Sequence, residues 1–495
     1  MNSYILSIDA GTTGITVLVI DHNLQVLNKF YSEFKQYYPK PGWVEHDGEE
    51  IWYTIARLIK KVFQHYSIKD CIGIGIANQR ETSIIWDINT GIPIHNAIVW
   101  QCKRTKEMCY DLESQGYNKL IKAKTGLLID SYFSGTKIKW LLENCNQALQ
   151  KSKKGQLAFG TIDTWILWNL TGGKVHATDY TNAARTLLFN IDELNWDEDI
   201  LSILGIPKSL LPEVLPSSSK FGYTENKLFG KQIPITGIAG DQQAALFGQG
   251  CFNFGESKCT YGTGCFLLTN TGKQRIDSSS GLLTTLACNS QGEPVYALEG
   301  AVFMGGAIIQ WLRDELKLLK DAKYSEIMAT NVSDSGGVIL VPAFTGLGAP
   351  YWDMNARGTI TGLTRGTNSN HIVRAALESI AFQVKDILDS IYLDLDNKLP
   401  YLKVDGGATQ NNFLMQFQAD ILKKDIKKPY NIESTAIGAG MLAGLTLKFW
   451  KNGNEILKLQ QKEETFQSKM DDLQREKLLN EWKNAIAKTQ YNITT

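Results

Sequence analysis

Two short turns of small residues, each set between two apolar runs, constrain the fold of this chain more than any other feature. The first turn spans residues 9–14 (DAGTTG) and separates the apolar runs 4–8 and 15–20. The second spans residues 261–264 (YGTG) and separates a run that begins at 258 from one that ends at 269. Both patterns predict β-hairpins. Because the unit returns roughly 250 residues later, the sequence predicts a duplicated fold.

The remaining pattern predicts an α/β protein with two domains. A chain of 495 residues is too long for one compact core. The runs 72–77 and 401–404 indicate further strands, and an apolar stripe after Asp47 indicates a helix, with Glu50 placed as in a capping box. We expect one domain at residues 1–250 and another at 251–495, with the tail from about Trp450 forming a covering helix.

Charge and apolar content exclude several classes of partner. The chain has 51 basic and 51 acidic residues, so its bulk charge favours neither nucleic acid nor an anionic membrane surface. We find no apolar run long enough to cross a bilayer and no basic leader before the first strand. The eight cysteines are scattered without metal-ligand spacing, which is typical of free, buried thiols in a reducing compartment. We therefore expect a cytoplasmic protein without membrane insertion or nucleic-acid partners.

The first turn has the chemistry of a phosphate site. Small residues let the backbone approach a phosphate closely, and N–H and hydroxyl groups then bind its oxygens. Asp9, at the end of the preceding run, can hold Mg²⁺ directly or through water. An ordinary hairpin turn is the alternative interpretation. The second turn, around Thr263, favours the phosphate site, because two facing hairpins can clamp a triphosphate.

For each of three further polar segments, the sequence leaves two interpretations open. Residues 405–408 (DGGA) could seat a nucleotide at a helix N-terminus or could allow close strand–helix packing. Asp241 could cap the helix that follows it or act as a general base. Arg80 and Glu81 follow a buried run, so they could form a ligand site at a strand end or an exposed ion pair.

Six longer segments resemble one known family. The chain is similar to the FGGY carbohydrate kinases of the actin-like ATPase superfamily, and among them to the members that phosphorylate glycerol. Residues 132–144 and 358–378 meet the two signature patterns of the family. The other matching segments are 39–47 (PKPGWVEHD), 78–82 (NQRET), 96–102 (NAIVWQC), 132–137 (YFSGTK), 239–248 (AGDQQAALFG) and 344–352 (FTGLGAPYW).

The resemblance implies a fold and a set of site residues. The fold is two ribonuclease-H-like, actin-like domains with a catalytic cleft between them, the first mainly for glycerol and the second mainly for ATP. Asp241 is the implied general base and Asp9 lies near Mg²⁺. The implied substrate-binding residues are Arg80, Glu81, Trp100, Tyr132, Asp241, Gln242, Phe266 and Thr12. The implied nucleotide-binding residues are Thr12, Thr13, Gly14, Thr263, Gly306, Gln310, Gly407, Ala408 and Asn412.

The implied reaction is phosphoryl transfer from Mg-ATP to glycerol, giving sn-glycerol 3-phosphate, and the resemblance also implies a homodimer or homotetramer. Two other functions stay open from the sequence. One is a kinase of the same family for another polyol or sugar. The other is an actin-like or chaperone-like ATPase, which would turn over ATP without any polyol.

Overall fold

The computed structural model describes residues 3–344, 346–353, 355–395, 400–460 and 463–490. Thr345, part of one matching segment, lies outside the described residues. Among those residues, no helix combines the length and apolar character that crossing a membrane requires.

The first half of the chain alternates strands and helices around one main sheet. Its strands are β1 Tyr4–Ala10, β2 Gly14–Asp21, β3 Val26–Glu33, β4 Glu45–His46, β5 Cys71–Asn78, β6 Ile84–Asp87, β7 Ala97–Ile98, β8 Leu157–Gly160, β9 Ala177–Asp179, β10 Phe189–Asn190, β11 Asn195–Trp196, β12 Glu213–Leu215, β13 Ser218–Tyr223 and β14 Pro234–Gly240. Its helices are α1 Gly48–His65, α2 Lys106–Ser114, α3 Asn118–Thr125, α4 Ser134–Asn144, α5 Ala148–Lys153, α6 Ile162–Leu170, α7 Tyr180–Ala183, α8 Glu198–Leu204, α9 Asn226–Phe229 and α10 Asp241–Gly248.

The second half is built in the same way. Its strands are β15 Ser257–Tyr261, β16 Cys265–Gly272, β17 Leu283–Cys288, β18 Pro294–Val302, β19 Ile339–Val341, β20 Thr359–Thr361, β21 Tyr401–Asp405, β22 Asp425–Pro429 and β23 Glu463–Phe466. Its helices are α11 Ala307–Asp314, α12 Tyr324–Thr330, α13 Ser369–Asp394, α14 Asn412–Leu422, α15 Ser434–Thr446, α16 Gly453–Leu459 and α17 Asp472–Gln490. Short 3-10 turns lie at Ile68–Asp70, Lys208–Leu210 and Gly407–Gln410.

The two main sheets repeat one strand order. The first sheet runs β13-β14-β5-β1-β2-β3, and the second runs β17-β18-β16-β15-β21-β22-β23. In the first, β1 pairs antiparallel with β2 and parallel with β5, which is parallel to β14. In the second, β15 pairs antiparallel with β16 and parallel with β21, which is parallel to β22. The predicted duplicated α/β fold is therefore confirmed, and both predicted hairpins form.

The inner strands β1, β2 and β5 of the first sheet are buried on both faces because helices cover both. Leu6 and Ile8 of β1 pack on the side of α1, in one core cluster. Ile5 of β1 and Ile20 of β2 pack on the opposite side, against α15. Strands buried on both faces give continuous apolar runs rather than alternation, which explains the patterns at 4–8 and 15–20.

Helix α15 lies unusually close to the first sheet and to α10. A β-carbon placed on Gly75 of β5 would stand 2.1 Å from the Ala439 carbonyl oxygen. One placed on Gly438 would stand 1.8 Å from the carbonyl oxygen of Ala244, in α10. The backbones touch because these positions lack side chains. Although α15 comes from the second half of the chain, it belongs to the core of the first sheet.

Helix α1 begins as predicted but is capped differently. The Asp47 carboxylate accepts hydrogen bonds from the backbone N–H groups of Glu49 and Glu50, at 2.8 and 3.3 Å. The predicted capping box does not form, because the Glu50 carboxylate accepts instead from the Lys35 backbone N–H, at 3.0 Å. The Lys35 N–H thus occupies the Glu50 carboxylate, which in a capping box would accept from the backbone N–H of Asp47.

The tail after Trp450 is a helix only in part. Strand β23 pairs antiparallel with β22 and extends the edge of the second sheet, which corrects the prediction of a helical tail. The charged residues of β23 suit an edge strand, where they discourage pairing with other chains. The covering helix is α17, which buries Trp482 and Ile486 in the core of the second half.

A buried carboxylate where α17 meets α13 gives the stability a pH dependence. Asp386 accepts hydrogen bonds from the Trp482 indole N–H and the Tyr351 hydroxyl, at 2.7 and 2.9 Å. Burial raises the pKa of Asp386 to about 6. Because an unfolded Asp titrates near pH 4, only the folded state keeps the proton between about pH 4 and 6. Stability from this group is therefore lost as pH rises through that range.

We expect Asp386→Asn to remove this dependence. Relative to the unmodified protein, the variant should gain ~2 kcal/mol of unfolding free energy between pH 4.5 and 7. Urea-denaturation midpoints at the two pH values measure the difference. The same substitution at the exposed Asp111 controls for the loss of one carboxylate. Parallel pH curves for Asp386→Asn and the unmodified protein would contradict the assignment.

Candidate active site

The predicted polar residues meet because they follow parallel, neighbouring strands. The first turn follows β1, Arg80 and Glu81 follow β5, and Asp241 follows β14. These three strands are adjacent and parallel in the first sheet. Their carboxyl ends lie at one sheet edge, which is where open α/β sheets bind ligands. The same order explains why residues far apart in sequence form one site.

A cavity of about 250 Å³ lies between the two halves and is lined by aromatic side chains. The rings of Trp100 and Tyr132 meet edge to face, with centroids 5.6 Å apart. Phe266, from β16, lies 6.2 Å from Trp100 by ring centroids. Trp352 completes this wall, and the Glu299 carboxylate supplies a charge. The cavity therefore offers apolar faces and a charged edge, as a small polyol requires.

Arg80 lies behind the wall of this cavity, where it contacts two of the lining residues, Glu299 and Tyr132. Its guanidinium donates two hydrogen bonds to the Glu299 carboxylate, at 2.6 and 3.0 Å. Its Nε lies 3.2 Å from Asp241 Oδ1, and its Nη2 lies 3.3 Å from the Tyr132 hydroxyl. The side chain is only 2% exposed. Arg80 and Glu81 thus form a buried site and not an exposed ion pair.

Glu81 and Glu299 share a second buried arginine. Arg185 donates from Nε to Glu81 at 2.6 Å and from Nη2 to Glu299 at 3.0 Å. Burial alone raises the pKa of Glu299, but Arg185 and Arg80 outweigh it and lower this pKa to about 2. The Glu299 carboxylate is therefore charged at neutral pH and holds both guanidinium groups.

Asp241 stands at the first position of α10 and stays accessible. Gly240 holds the N-cap position, so Asp241 is not the N-cap residue itself, although its carboxylate still accepts from one backbone N–H of the first turn of α10. Its Oδ1 accepts from the Gln242 backbone N–H at 2.6 Å, and its side chain is 28% exposed. Burial raises the pKa of Asp241, while Arg80 and Lys258 act in the opposite direction.

Gln242 has a partner that the sequence did not predict. Its side-chain oxygen accepts a hydrogen bond from Nζ of Lys258, a buried residue of β15 that also donates to the Thr260 hydroxyl at 2.7 Å. The carbonyl end of Gln242 is therefore engaged, which leaves its NH₂ group as the donor toward a ligand.

The first turn lies against the aromatic cavity. The Gly11 N–H donates to the Gly14 carbonyl at 3.0 Å, which closes the hairpin. The Trp100 indole N–H donates to the Thr12 hydroxyl at 3.0 Å. Thr13 is exposed at the tip, and a β-carbon on Gly14 would stand 2.6 Å from the Tyr31 hydroxyl. The turn therefore contacts the cavity residue Trp100 through Thr12, while its tip at Thr13 stays exposed to solvent.

The second turn separates two cavities. Thr263 lines both the aromatic cavity and a larger one of about 570 Å³ in the second half. The Gly306 N–H donates to the Gly262 carbonyl at 2.8 Å, which fixes α11 against the turn. The predicted nucleotide residues that line the larger cavity are Thr263, Gly306, Gln310, Gly407 and Ala408.

Among the predicted nucleotide residues of the second half, Asn412 does not line this cavity; residues 12–14 of the first turn also lie outside its lining. Asn412 is exposed at the first position of α14, and its neighbour Asn411 lies in the wall instead. The Asn411 side chain is already engaged, since it caps α14 at the Leu414 N–H and donates to the Ser325 hydroxyl.

Two aspartates each have a buried oxygen without a hydrogen-bond partner among the described residues. These oxygens are Oδ1 of Asp9, in β1, and Oδ1 of Asp405, in β21. Burial, followed by the charge of Asp241, raises the pKa of Asp9 to about 8. Within the described ranges, no group of three or more acidic, His or Cys side chains is arranged for a metal. A pair of carboxylates such as Asp9 and Asp405 is compatible with Mg²⁺, because this ion keeps several waters and needs only one or two protein carboxylates.

Four site residues were not found from the sequence. Arg185 follows the short helix α7, and Trp352 lies in a matching segment without an assigned role. Glu299 and Lys258 are single charges inside the otherwise uncharged strands β18 and β15. A charge inside a buried strand is rarely tolerated unless it is paired, so that pattern was the available signal for both.

Comparisons with known proteins agree with this geometry. The FGGY family of carbohydrate kinases matches twice, through its N-terminal domain at residues 4–248 and its C-terminal domain at residues 257–447. "Glycerol kinase 2" of Thermotoga maritima is 54% identical, covering 98% of each chain, and a glycerol kinase of Carboxydothermus hydrogenoformans is 55% identical with the same coverage. The crystal structure of Plasmodium falciparum glycerol kinase with ADP superposes with a TM-score of 0.92, at 40% identity over 99% of each chain.

Proposed function

We propose that this chain, which belongs to the FGGY family of carbohydrate kinases, transfers the terminal phosphoryl group of ATP to glycerol, giving sn-glycerol 3-phosphate and ADP. The observation that carries this proposal is the position of the second turn. Thr263 lines the small aromatic cavity on one side and the larger cavity on the other. A phosphoryl group held at this turn would face an acceptor in the aromatic cavity.

The aromatic cavity has the shape and polarity to hold glycerol. Arg80, Glu81, Tyr132 and the Gln242 amide supply donors and acceptors for the hydroxyl groups, and Trp100 and Phe266 face the carbon chain. A site built to pair each hydroxyl discriminates against analogues that leave its buried polar groups unpaired. Thr12, bound to Trp100, is placed to contact the transferred phosphate.

Asp241 serves as the general base that takes the proton from the attacking hydroxyl. Oδ1 is held by the Gln242 N–H and the Arg80 guanidinium, so Oδ2 is the oxygen that faces the substrate. Fixing one oxygen orients the other, which is what positioned proton transfer requires. Phosphoryl transfer otherwise asks the protein mainly for alignment and charge neutralisation.

The nucleotide lies in the larger cavity with its phosphates at the two turns. Thr12, Thr13 and Gly14 contact the phosphates from the first half, and the predicted residues of the second half, Asn412 included, surround the rest. Asp9 and Asp405 would hold Mg²⁺, directly or through water, because each has a buried oxygen without a hydrogen-bond partner among the described residues. Bound Mg²⁺ neutralises charge on the phosphates.

We further propose where and in what form the enzyme works. Residues 1–250 mainly bind glycerol, and residues 251–495 mainly bind ATP. The cysteines are unpaired and all but Cys145 are buried, which suits a reducing cytoplasm. We expect a homodimer or homotetramer, which light scattering coupled to size-exclusion chromatography would measure.

The proposed activity predicts strong dependence of ADP release on glycerol. Purified protein with Mg-ATP should release ADP rapidly with glycerol, and weakly with xylulose, gluconate, erythritol or dihydroxyacetone. A coupled assay for ADP measures all five in parallel. A different preferred polyol would overturn the substrate, and ADP release that ignores every polyol would indicate the ATPase alternative.

A further inference from the structure

We propose that a buried Arg185–Glu299 pair positions the two charged side chains that bind glycerol. Those side chains are Arg80 and Glu81, so this inference rests on the proposed function of the aromatic cavity. Four side chains form one closed network, in which each carboxylate contacts two guanidinium groups.

The first contact that positions a glycerol-binding group is the ion pair between Glu299 and Arg80. The two Glu299 oxygens accept separately from the two terminal nitrogens of Arg80, at 2.6 and 3.0 Å. A two-point contact of this kind fixes the plane of the guanidinium as well as its distance. With that plane fixed, the Nε edge is directed toward Asp241 and Nη2 toward the Tyr132 hydroxyl.

The second contact of this kind is the ion pair between Arg185 and Glu81. Glu81 has a φ of +59°, a conformation that few residues other than glycine adopt. Its carbonyl oxygen accepts from the hydroxyls of Ser83 and Ser134, at 3.0 and 3.1 Å, which holds the backbone. The Arg185 Nε bond at 2.6 Å uses Oε1. We therefore expect Oε2 to be the oxygen that accepts from a glycerol hydroxyl.

Arg185 is itself fixed in place. Its guanidinium lies 5.5 and 5.2 Å from the ring centres of Tyr132 and Phe133, and its side chain is not exposed. Its Nη2 donates to Oε1 of Glu299, the oxygen that also accepts from Nη2 of Arg80. Because both Glu299 oxygens already accept from arginines, we assign this residue to orienting other groups.

The network also joins the two sheets. Arg80 follows β5 of the first sheet, and Glu299 lies on β18 of the second. The glycerol-binding groups thus take their final orientation only when the two halves stand in this arrangement. A binding site that is completed across a cleft links substrate binding to closure of the cleft.

The test separates positioning from stability. We expect Glu299→Gln and Arg185→Lys each to weaken glycerol binding, measured by calorimetry without ATP, by about 30-fold, the scale of a lost charged hydrogen bond. The KM for glycerol should rise in parallel, while kcat falls less than about 10-fold and the KM for ATP changes less than about 3-fold. In the double variant the two losses should not multiply, because they break one network.

Glu45→Gln is the matched control. Glu45 pairs with Arg104 at 2.6 Å, both are largely buried, and neither lines the aromatic cavity. It should lower the thermal midpoint as the test variants do and leave glycerol binding unchanged. Wild-type glycerol binding in both test variants, or an equal loss in Glu45→Gln, would overturn the proposal. If the unmodified enzyme prefers another polyol, the substrate assignment fails, and the same comparison made with that polyol decides the role of the pair.

Discussion

Replacing Asp241 with asparagine should lower kcat by at least ~100-fold, the scale expected when a positioned base is lost. Asparagine preserves the shape of the side chain and can still accept from the Gln242 N–H, so the cavity should remain intact. It cannot take a proton from the attacking hydroxyl at neutral pH. Steady-state ADP release at saturating glycerol and ATP measures the effect.

Two measurements keep this result interpretable. Glycerol binding to Asp241→Asn, followed by calorimetry, should stay within about 10-fold of the unmodified protein, because the other hydroxyl-binding groups are unchanged. The thermal midpoint should shift little, since asparagine keeps the side-chain oxygen that accepts from the Gln242 N–H. A variant that keeps more than about a tenth of its turnover would exclude Asp241 as the base.

Replacing Gly438 with alanine should remove several kcal/mol of stability or prevent folding. The new methyl group would stand 1.8 Å from the Ala244 carbonyl oxygen and 2.9 Å from the Gly248 backbone nitrogen. Both obstacles are backbone atoms of α10, so relief requires moving a whole helix. Overpacking costs about 1–3 kcal/mol even where side chains can adjust, and we expect at least the upper value here.

Soluble yield and the urea midpoint measure this loss. Gly366→Ala is a matched control, because its new methyl group would meet only the Thr364 hydroxyl, at an ordinary 3.7 Å. The control should unfold like the unmodified protein. If Gly438→Ala unfolded at the same urea concentration as Gly366→Ala, α15 would be able to move away from α10 at little cost.

The features that the sequence predicts well are those encoded by neighbouring residues. Both hairpins, the strands at β5 and β21 and the helix after Asp47 follow from local pattern. The gathering of Arg80, Asp241 and the first turn also follows, because polar residues at the ends of parallel strands share one sheet edge.

The features that the sequence does not predict depend on contacts between distant segments. Arg80 and Glu299 are 219 positions apart and lie in different sheets. Nothing near either residue specifies the other. Glu50 fits a capping box locally, but the Lys35 N–H, brought in by the fold, takes its carboxylate. Strand β23 forms because the edge of β22 accepts a partner, although two of its four residues are charged.

The origin of α15 has a consequence for how the protein is made. The sheet formed by residues 4–240 lacks the cover on one face until residues 434–446 have left the ribosome. At ~5–20 residues per second, roughly 10–40 s pass between the synthesis of residue 250 and that of residue 446. During that interval Ile5, Leu18 and Ile20 face water. We therefore expect the nascent first half to expose an apolar face that chaperones recognise, and to become a finished domain only when almost the whole chain exists.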